Sequence, residues 1–365
     1  MSFTNLDPST LEIVLGSKST IDLPKMTVHS RDEAIQFIFT YGYDINDYKD
    51  AEVLWKTHRL AIEILEEEVL DVAEELPAKV RNREELKDLT SLLLIASYID
   101  GSALQKYACA ILRVMHLIIH LENDLFTSFT DDIQYQILRP IKEHIVYGER
   151  DTFFLGKDSN RIELKEFSIK PFKQTKSGVI KLLAKDNVLA MTLLDRVGVR
   201  FITKSIHDIF RIIQYLVDHH LISYPQTVVG HSKNMICPTE VFLQAQEAFV
   251  GKKNKEEDFE NFTKILNEKL EKWSKQGNTF STKNEFTSEK FKFVKFISRR
   301  FLKIDRGPEK DPLKFFYPFE VQLIDEETFE ENEKTSASHY AYKERQRRAA
   351  RRRVLGFMPE NGEKQ

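Results

Sequence analysis

The spacing of apolar residues changes near residue 147, and this change limits the folds that the chain can adopt. From residue 47 to about residue 146 the spacing is helical almost throughout, as in the stripe of Trp55, Leu60 and Ile64. Beyond residue 147, short β-like runs alternate with helical segments. The predicted strands are 152–155, 162–170, 197–203, 226–229, 290–297 and 315–324, and the predicted helices are 176–187, 205–221 and 239–250. We therefore expect an α/β or α+β layer behind an all-α N-terminal layer.

The same change of pattern predicts two domains. We expect a helical domain over residues 1–148 and a sheet-containing domain over residues 149–365. Residues 251–288 are highly charged with a thin apolar stripe, which predicts an inserted amphipathic helix and a loop. This insertion could be a lid, a partner contact or a spacer. An Arg-rich helix is expected towards the carboxyl end.

Composition excludes several classes of protein. The net charge of −3 gives no overall field that would favour nucleic acid or a membrane surface. Cys109 and Cys237 are too few and too far apart for a zinc site or a disulfide framework, which favours the cytoplasm. No signal peptide is visible, and the most apolar run, residues 108–121, is too short to span a bilayer. We therefore expect no membrane partner.

The segment 170–203 has the composition of a phosphate-binding site. Ser177 is a candidate N-cap, Gly178 would let a ligand approach the backbone, and lysines crowd the first two turns of the predicted helix. Asp195 comes shortly before an apolar strand that carries Arg200. An acid at the mouth of a buried strand, facing a basic helix, indicates metal-assisted phosphate chemistry. The alternative is that the lysines are solvated and that Asp195 is a turn residue.

A second candidate site lies on the strand predicted at 315–324. Glu320 and Gln322 share one face of this strand by the period of two, whereas Phe319 and Val321 share the other. A glutamate on so apolar a strand is costly to bury unless it meets a cation or a metal. Glu320 is therefore expected to have such a partner.

The helix that follows carries two further candidates. His339, Tyr342 and Lys343 are spaced at i, i+3 and i+4, so they face one way. The arginines between Arg345 and Arg353 could contact RNA, although a basic helix end is more often simply solvated. Earlier in the chain, His116 and His120 have the spacing of metal ligands, but their apolar neighbours favour histidines in or beside a core.

Three motifs, taken in order, resemble the synthetase domain of the RelA/SpoT family, the (p)ppGpp synthetases. They are Lys-x3-Ser-x3-Lys from Lys173, Asp-x2-Gly-x-Arg from Asp195, and Glu-x-Gln from Glu320 followed by His-x2-Tyr-Lys from His339. The resemblance covers roughly residues 160–345 and implies a mixed β-sheet flanked by helices, of the nucleotidyltransferase kind. It also implies Mg²⁺-dependent transfer of pyrophosphate from ATP to the 3′-hydroxyl of a guanine nucleotide.

The resemblance further implies roles for individual residues. ATP would be bound by Lys173, Ser177, Lys181 and Arg200, the last of these stacking on the adenine. Catalysis and Mg²⁺ ligation would fall to Asp195 and to Glu320, the latter as metal ligand or base. The acceptor would be bound by Gln322, His339, Tyr342 and Lys343. Cations that spread phosphate charge and a carboxylate-held Mg²⁺ suit this chemistry.

The chain departs from the family pattern at several positions. Pro171 stands where the family usually has arginine, the acceptor-loop motif has no clear counterpart, and Ile324-Asp325 replaces Arg-Thr. The paired His-Asp signature of the hydrolase domain is absent, so we do not expect (p)ppGpp hydrolysis. The departures leave RNA ends or another nucleotide open as acceptors. They also leave open an inactive regulator of the same fold that binds nucleotide or a partner, and an RNA-binding or RNA-modifying protein.

Overall fold

The structure is a computed structural model, and its contacts divide the chain into two units. The residues that it describes are 12–13, 15, 19–122, 127–149, 152–158, 161–170, 175–185, 193–249, 255–277, 293–334 and 339–356. The first unit, called the helical unit below, comprises Met1–Thr127, Gln174–Leu193 and Lys343–Gln365. The second, called the sheet unit, comprises Ser128–Lys173 and Leu194–Tyr342.

Helices and strands are numbered here in chain order. The helices are α1 (Arg31–Thr40), α2 (Tyr48–Glu68), α3 (Ala78–Arg81), α4 (Arg83–Leu86), α5 (Leu89–Ala96), α6 (Ala103–Glu122), α7 (Thr130–Lys142), α8 (Thr175–Leu183), α9 (Ile206–Asp218), α10 (Thr239–Ala248), α11 (Lys255–Lys275), α12 (Glu326–Lys334) and α13 (His339–Leu355). The strands are β1 (Ile145–Tyr147), β2 (Phe153–Leu155), β3 (Ile162–Lys170), β4 (Gly198–Thr203), β5 (Lys233–Asn234), β6 (Val294–Ile304) and β7 (Leu313–Asp325).

The core of the helical unit is built around α6, which packs against α2, α5 and α8. Ile64 of α2 and Ile111 and Ile118 of α6 are completely buried there. The apolar residues of α6 recur at helical spacing, so burying them on its neighbours supplies most of the driving force for this packing. Gly178 of α8 allows the closest approach, because an added Cβ would lie 3.1 Å from Leu121 of α6. Packing of α8 therefore accounts for this glycine, for which the sequence suggested a ligand.

The sheet unit contains one mixed sheet with the strand order β1-β2-β3-β4-β7-β6-β5. Only the central pair β4 and β7 is parallel among these strands, and the other neighbours are antiparallel. One face is apolar, with Val199, Phe201, Val321 and Leu323 all completely buried. Helix α9 packs against β3, β4 and β7, and its own buried side is formed by Ile209, Ile212 and Leu216. A second face of the same strands is left for the polar residues described below.

Most of the predicted architecture is confirmed. The fold is α+β, with a mixed sheet flanked by helices and a helical region at the N-terminal side. The sequence also predicts N-caps at Ser30 and Ser205, each with an acid three residues further on. Helix α9 begins after Ser205, whose Oγ accepts a hydrogen bond from the Asp208 backbone N at 3.3 Å. Helix α1 likewise begins after Ser30, whose Oγ accepts from the Glu33 backbone N at 3.2 Å.

Three local predictions are wrong. Residues 226–229 do not form a strand, and their described pairing is an isolated bridge between Thr227 and Ser298. Strand β1 lies within the end of the stretch that was predicted to be helical, because three apolar residues are too few to show a period. Ser177 is not an N-cap, since α8 already begins at Thr175 and Ser177 lies inside its first turn.

Three arginines of helix α13 form ion pairs with acidic residues of the helical unit. Arg347 pairs with Glu68 at 2.5 Å, and Arg351 bridges both carboxylate oxygens of Glu74 at 2.6 and 2.8 Å. Arg353 is 9% exposed at its side chain and forms a bidentate pair with Asp22. Half of the basic run that suggested RNA binding therefore has a structural function in the described residues.

Arg353 should contribute more to stability than its exposed neighbour Arg352. Its Nη1 donates to the carbonyl oxygens of Leu182 and Lys185 at 3.1 and 2.7 Å, at the carboxyl end of α8. Arg353→Met removes these donors and leaves Asp22 without its guanidinium, so we expect the free energy of unfolding to fall by about 2–4 kcal/mol. Urea denaturation followed by circular dichroism measures the change. Arg352→Met is the matched control and should change stability by less than about 0.5 kcal/mol; equal effects would contradict this assignment.

Candidate functional site

The polar residues of the sheet unit lie in two rows across its central strands. In the first row, Lys170 of β3 lies opposite Gly198 of β4, which in turn lies opposite Glu320 of β7. Side chains of directly opposed residues point to the same face of a sheet, so Lys170 and Glu320 share one face. Gly198 carries no side chain between them. The strand register thus leaves a gap through which a lysine and a glutamate two strands apart can meet.

The second row lies one pleat further along the same face. Arg200 of β4 lies opposite Gln322 of β7, and Lys295 of β6 lies opposite Gln322 on its other side. The Nε of Arg200 donates a hydrogen bond to Oε1 of Gln322 at 3.1 Å. Gln322 is 5% exposed, so this contact satisfies an amide oxygen that burial has removed from water.

Glu320 is the centre of this polar face. It is 2% exposed, and each of its carboxylate oxygens meets an ammonium group. Lys170 bonds to Oε1, and Lys295 bonds to Oε2 at 2.5 Å. The expectation that Glu320 would meet a cation is therefore confirmed. The prediction that Glu320 and Gln322 share one face of β7, with Phe319 and Val321 on the other face, is confirmed as well.

Opposing effects set the charge of Glu320. Burial is the largest of them and raises the pKa of this carboxyl, but the ammonium groups of Lys170 and Lys295 outweigh it. The pKa of Glu320 is therefore lowered overall, and the group is a carboxylate at neutral pH. Asp195 acts in the opposite sense, because its negative charge raises the pKa of Glu320.

The two lysines differ in their surroundings. Burial lowers the pKa of Lys170, and the positive charges of Arg200 and Lys295 act in the same direction, so its pKa lies below the ordinary value despite Glu320. Burial also opposes the charge of Lys295, but Glu320 and then Asp195 raise its pKa above the ordinary value. Lys295 is therefore influenced by the negative charge of Asp195, whereas Lys170 is influenced by the positive charge of Arg200.

The backbone holds the segment of Asp195 beside β7. The backbone N of Glu320 donates to the carbonyl oxygen of Val197 at 2.8 Å. A Cβ at Gly198 would lie 2.8 Å from the carbonyl oxygen of Glu320 and 3.0 Å from its Cβ, so any side chain there would force the two strands apart. The glycine of the Asp-x2-Gly-x-Arg motif is thus explained by the close approach of β4 to β7.

The predicted site residues fall into three groups. Six described residues lie in the sheet unit: Asp195, Arg200, Glu320, Gln322, His339 and Tyr342. Of these, the first four lie on or beside the polar face, and Tyr342 is near enough to Lys295 to raise its pKa. Ser177 and Lys181 lie on α8, and Lys343 on α13, all within the helical unit. Lys173 lies outside the described residues, and His339 is the first residue of α13.

Sequence reasoning missed the two lysines that hold Glu320. Lys170 marks the start of the segment singled out for its composition, yet it was given no role. Lys295 sits between Val294 and Phe296 on β6, but the same strand also carries Arg299, Arg300 and Lys303, so its charge does not stand out in the sequence. The signal that identified Glu320, a charge on an apolar strand, is absent from β3 and β6, and the strand register is what selects Lys170 and Lys295 as its partners.

Asp195 and Glu320 are the acidic groups that could hold a metal. Among the described residues there is no group of three or more His, Cys, Asp or Glu with the arrangement of a metal site. Mg²⁺, however, is commonly bound by one or two carboxylates together with substrate phosphates, so the donor set here fits that ion only with a phosphate ligand present. His116 and His120 lie edge to face in the helical unit, with ring centroids 4.4 Å apart, and His116 bonds to the side-chain hydroxyls of Thr20 and Tyr41.

Comparison of the chain with protein-family models, with curated proteins and with solved structures found no match. No helix in the part of the chain that the structure describes has both the length and the apolar character needed to cross a bilayer.

Glu320 should be needed for stability because it neutralises two partly buried ammonium groups, whose side chains are 31% and 26% exposed. Glu320→Gln leaves Lys170 and Lys295 facing each other without a counter-charge, so we expect the free energy of unfolding to fall by about 3–5 kcal/mol. Urea denaturation is the measurement, and the exposed Glu309→Gln is the control. The triple variant Lys170→Met, Lys295→Met, Glu320→Leu removes all the charges and should recover most of the loss. A Glu320→Gln protein as stable as the control would contradict the pairing.

The contribution of Glu320 should also depend on pH. Its pKa in the folded protein is below the ordinary value of 4.5, so the unfolded chain takes up the proton first as the pH falls. The stability difference between the wild type and Glu320→Gln should be constant near neutral pH and should shrink once the pH falls below about 4.5. Urea titrations at a series of pH values measure this difference. A difference that grows in acid would mean that the folded-state pKa is raised instead.

Proposed function

We propose that the polar face of the sheet unit binds the phosphate groups of a nucleotide and transfers pyrophosphate from ATP to a 3′-hydroxyl. The observation that carries this proposal is the convergence of Lys170, Arg200 and Lys295 around Glu320. Three cations against the two carboxylates Asp195 and Glu320 leave an excess of positive charge on a largely buried surface. Cations at such a surface attract phosphate more strongly than they would in water. The resemblance to (p)ppGpp synthetases supplies the reaction and the guanine nucleotide as acceptor.

Phosphate binding would change the state of Glu320. Phosphate oxygens compete with this carboxylate for Lys170 and Lys295, because both are anionic acceptors for charge-assisted hydrogen bonds. Once the ammonium groups turn to phosphate, burial and the neighbouring Asp195 both act to raise the pKa of Glu320. A carboxylate that is a weak base in the free protein thereby becomes a stronger base when substrate is bound. This suits a general base for the acceptor hydroxyl.

The proposed reaction is a single displacement at phosphorus. The 3′-oxygen of the acceptor attacks the β-phosphorus of ATP, the bond from that phosphorus to the α-phosphate oxygen breaks, and AMP leaves. The hydroxyl proton passes to Glu320. Asp195 would hold Mg²⁺ together with the phosphate groups of ATP, and the ion when bound would supply positive charge to the transferred group. Gln322 and Arg200 are placed to orient a ligand along the second polar row, because their hydrogen bond fixes both side chains.

One observation favours a second candidate, a nucleotide-binding regulator without catalysis. Both oxygens of Glu320 already have lysine partners, so the ion cluster is satisfied without substrate. Pro171 in place of the family arginine is consistent with this alternative. A regulator would bind nucleotide through the same lysines and would not transfer pyrophosphate.

Incubation with γ-labelled ATP, Mg²⁺ and a panel of acceptors distinguishes the two candidates. The panel is GDP, GTP, AMP, ATP and tRNA. We expect label on a guanine nucleotide, and a loss of about 100-fold or more in Asp195→Asn and Glu320→Gln, because each removes a charge that acts in the transition state. ATP affinity, measured by calorimetry, should fall by about 10- to 100-fold in Lys295→Met through loss of a charge-assisted hydrogen bond.

The matched control is Lys303→Met, which removes an exposed lysine from the same strand, β6. It should leave both affinity and transfer unchanged. Binding that is lost in Lys295→Met, with no transfer to any acceptor, would establish the regulator. Label on tRNA alone would change the acceptor to RNA. ATP binding that is absent, or that survives in Lys295→Met, would contradict both candidates.

A further inference from the structure

The helical unit contains a cavity of about 380 Å³, partly open to solvent, that no part of the proposed chemistry uses. It is lined mainly by large apolar side chains from α1, α2, α5, α6 and the segment before α1, among them Phe37, Leu54, Leu92, Leu112 and Met115. Empty space of this size removes dispersion contacts from every lining residue and so lowers stability. A smaller engineered apolar cavity of about 150 Å³ already binds benzene. Both the size and the lining are those of a small-molecule site.

Polar groups converge at one end of this cavity. The hydroxyl of Tyr41 bonds to Nδ1 of His116 at 3.0 Å, and Oγ1 of Thr20 lies 3.4 Å from Nε2 of the same ring. All three residues line the cavity. Tyr41 is 38% exposed, so this polar end lies at the surface while the apolar end lies inside. A cavity that is polar at the surface and apolar inside matches a ligand with a polar head group and an apolar chain.

The charges at the cavity narrow the chemistry of the ligand. Burial, and then the neighbouring His120, lower the pKa of His116 to about 4, so its ring is neutral at pH 7. Burial raises the pKa of Tyr41, which keeps the phenol protonated. The guanidinium of Arg113 bonds to the carbonyl oxygens of Leu23 and Val354, so it is engaged away from a ligand. Among the described residues that line the cavity, Lys25 is the other cationic side chain besides Arg113.

We propose that this cavity binds a single-chain amphiphile, with its alkyl chain among Leu92, Leu112 and Met115 and its head group at Tyr41 and His116. The head group would exchange hydrogen bonds with the phenol and imidazole, which can each donate or accept. A fatty alcohol would be held by these neutral groups alone. A fatty acid would add an ion pair with Lys25. Both ligands would place their alkyl chain in the cavity, and they differ only in the head group.

Calorimetric titration of the full chain with decanoic acid and with 1-decanol, as separate arms, tests the proposal. We expect saturable binding of at least one ligand at one per chain, with a rise in the melting temperature because ligand binds the folded state. Tyr41→Phe keeps the shape of the ring and should weaken binding about 10-fold through loss of the head-group hydrogen bond. Tyr98→Phe, which removes the hydroxyl of an exposed tyrosine that is not among the lining residues, is the matched control and should bind as the wild type does.

A second variant tests whether the ligand occupies the cavity itself. Leu112→Trp places a larger side chain into the space and should abolish binding without lowering the melting temperature of the free protein. If that variant does not fold, the smaller Leu112→Phe should still weaken binding several-fold. Lys25→Met separates the two heads, because it should weaken binding of decanoic acid and not of 1-decanol. No saturable binding of either ligand, or binding that is unchanged in every Leu112 variant that folds, would overturn the proposal.

Discussion

A carboxylate that is removed from water needs compensating charge, and the sheet unit meets this need at Glu320 with two lysines from different strands. Lys170 comes from β3 and Lys295 from β6, on either side of the central pair. Both lysines lose most of their solvent as well, so the three groups depend on one another for their ionised states. Such a cluster is costly to assemble relative to an apolar core.

The parallel pairing of β4 and β7 brings that cluster together. These strands are separated by more than 100 residues in the chain, yet Gly198 lies opposite Glu320 and Arg200 opposite Gln322. The hydrogen bond from the Glu320 backbone to Val197 extends the pairing towards Asp195. Because the register of a strand fixes which side chains share a face, a shift by one residue would turn the whole polar set into the apolar layer. The two motifs are therefore coupled by backbone geometry rather than by proximity in sequence.

The sequence predicted what local periodicity and local chemistry determine. The alternation along β7 placed Glu320 and Gln322 on one face, and serines with acids three residues on marked the starts of α1 and α9. The sequence did not predict the features that depend on tertiary contacts. Strand β1 is too short to show a period, and no local signal connects Lys295 to Glu320. The assignment of α8 and α13 to the helical unit also depends on tertiary contacts, because the sequence of a helix does not show which unit it packs in.

The two units are interleaved along the chain, and this affects how the protein can be made. The chain passes from one unit to the other at residues 127–128, 173–174, 193–194 and 342–343. The helical unit buries Val179 of α8 and Val354 of α13 in one core. Synthesis proceeds from the N-terminus and domains generally fold as units, so a contiguous domain can finish folding while the ribosome is still at work. Here the first helices emerge long before the last one that completes their core. They remain partly exposed while almost the entire sheet unit is translated, and this gives chaperones an interval in which to act.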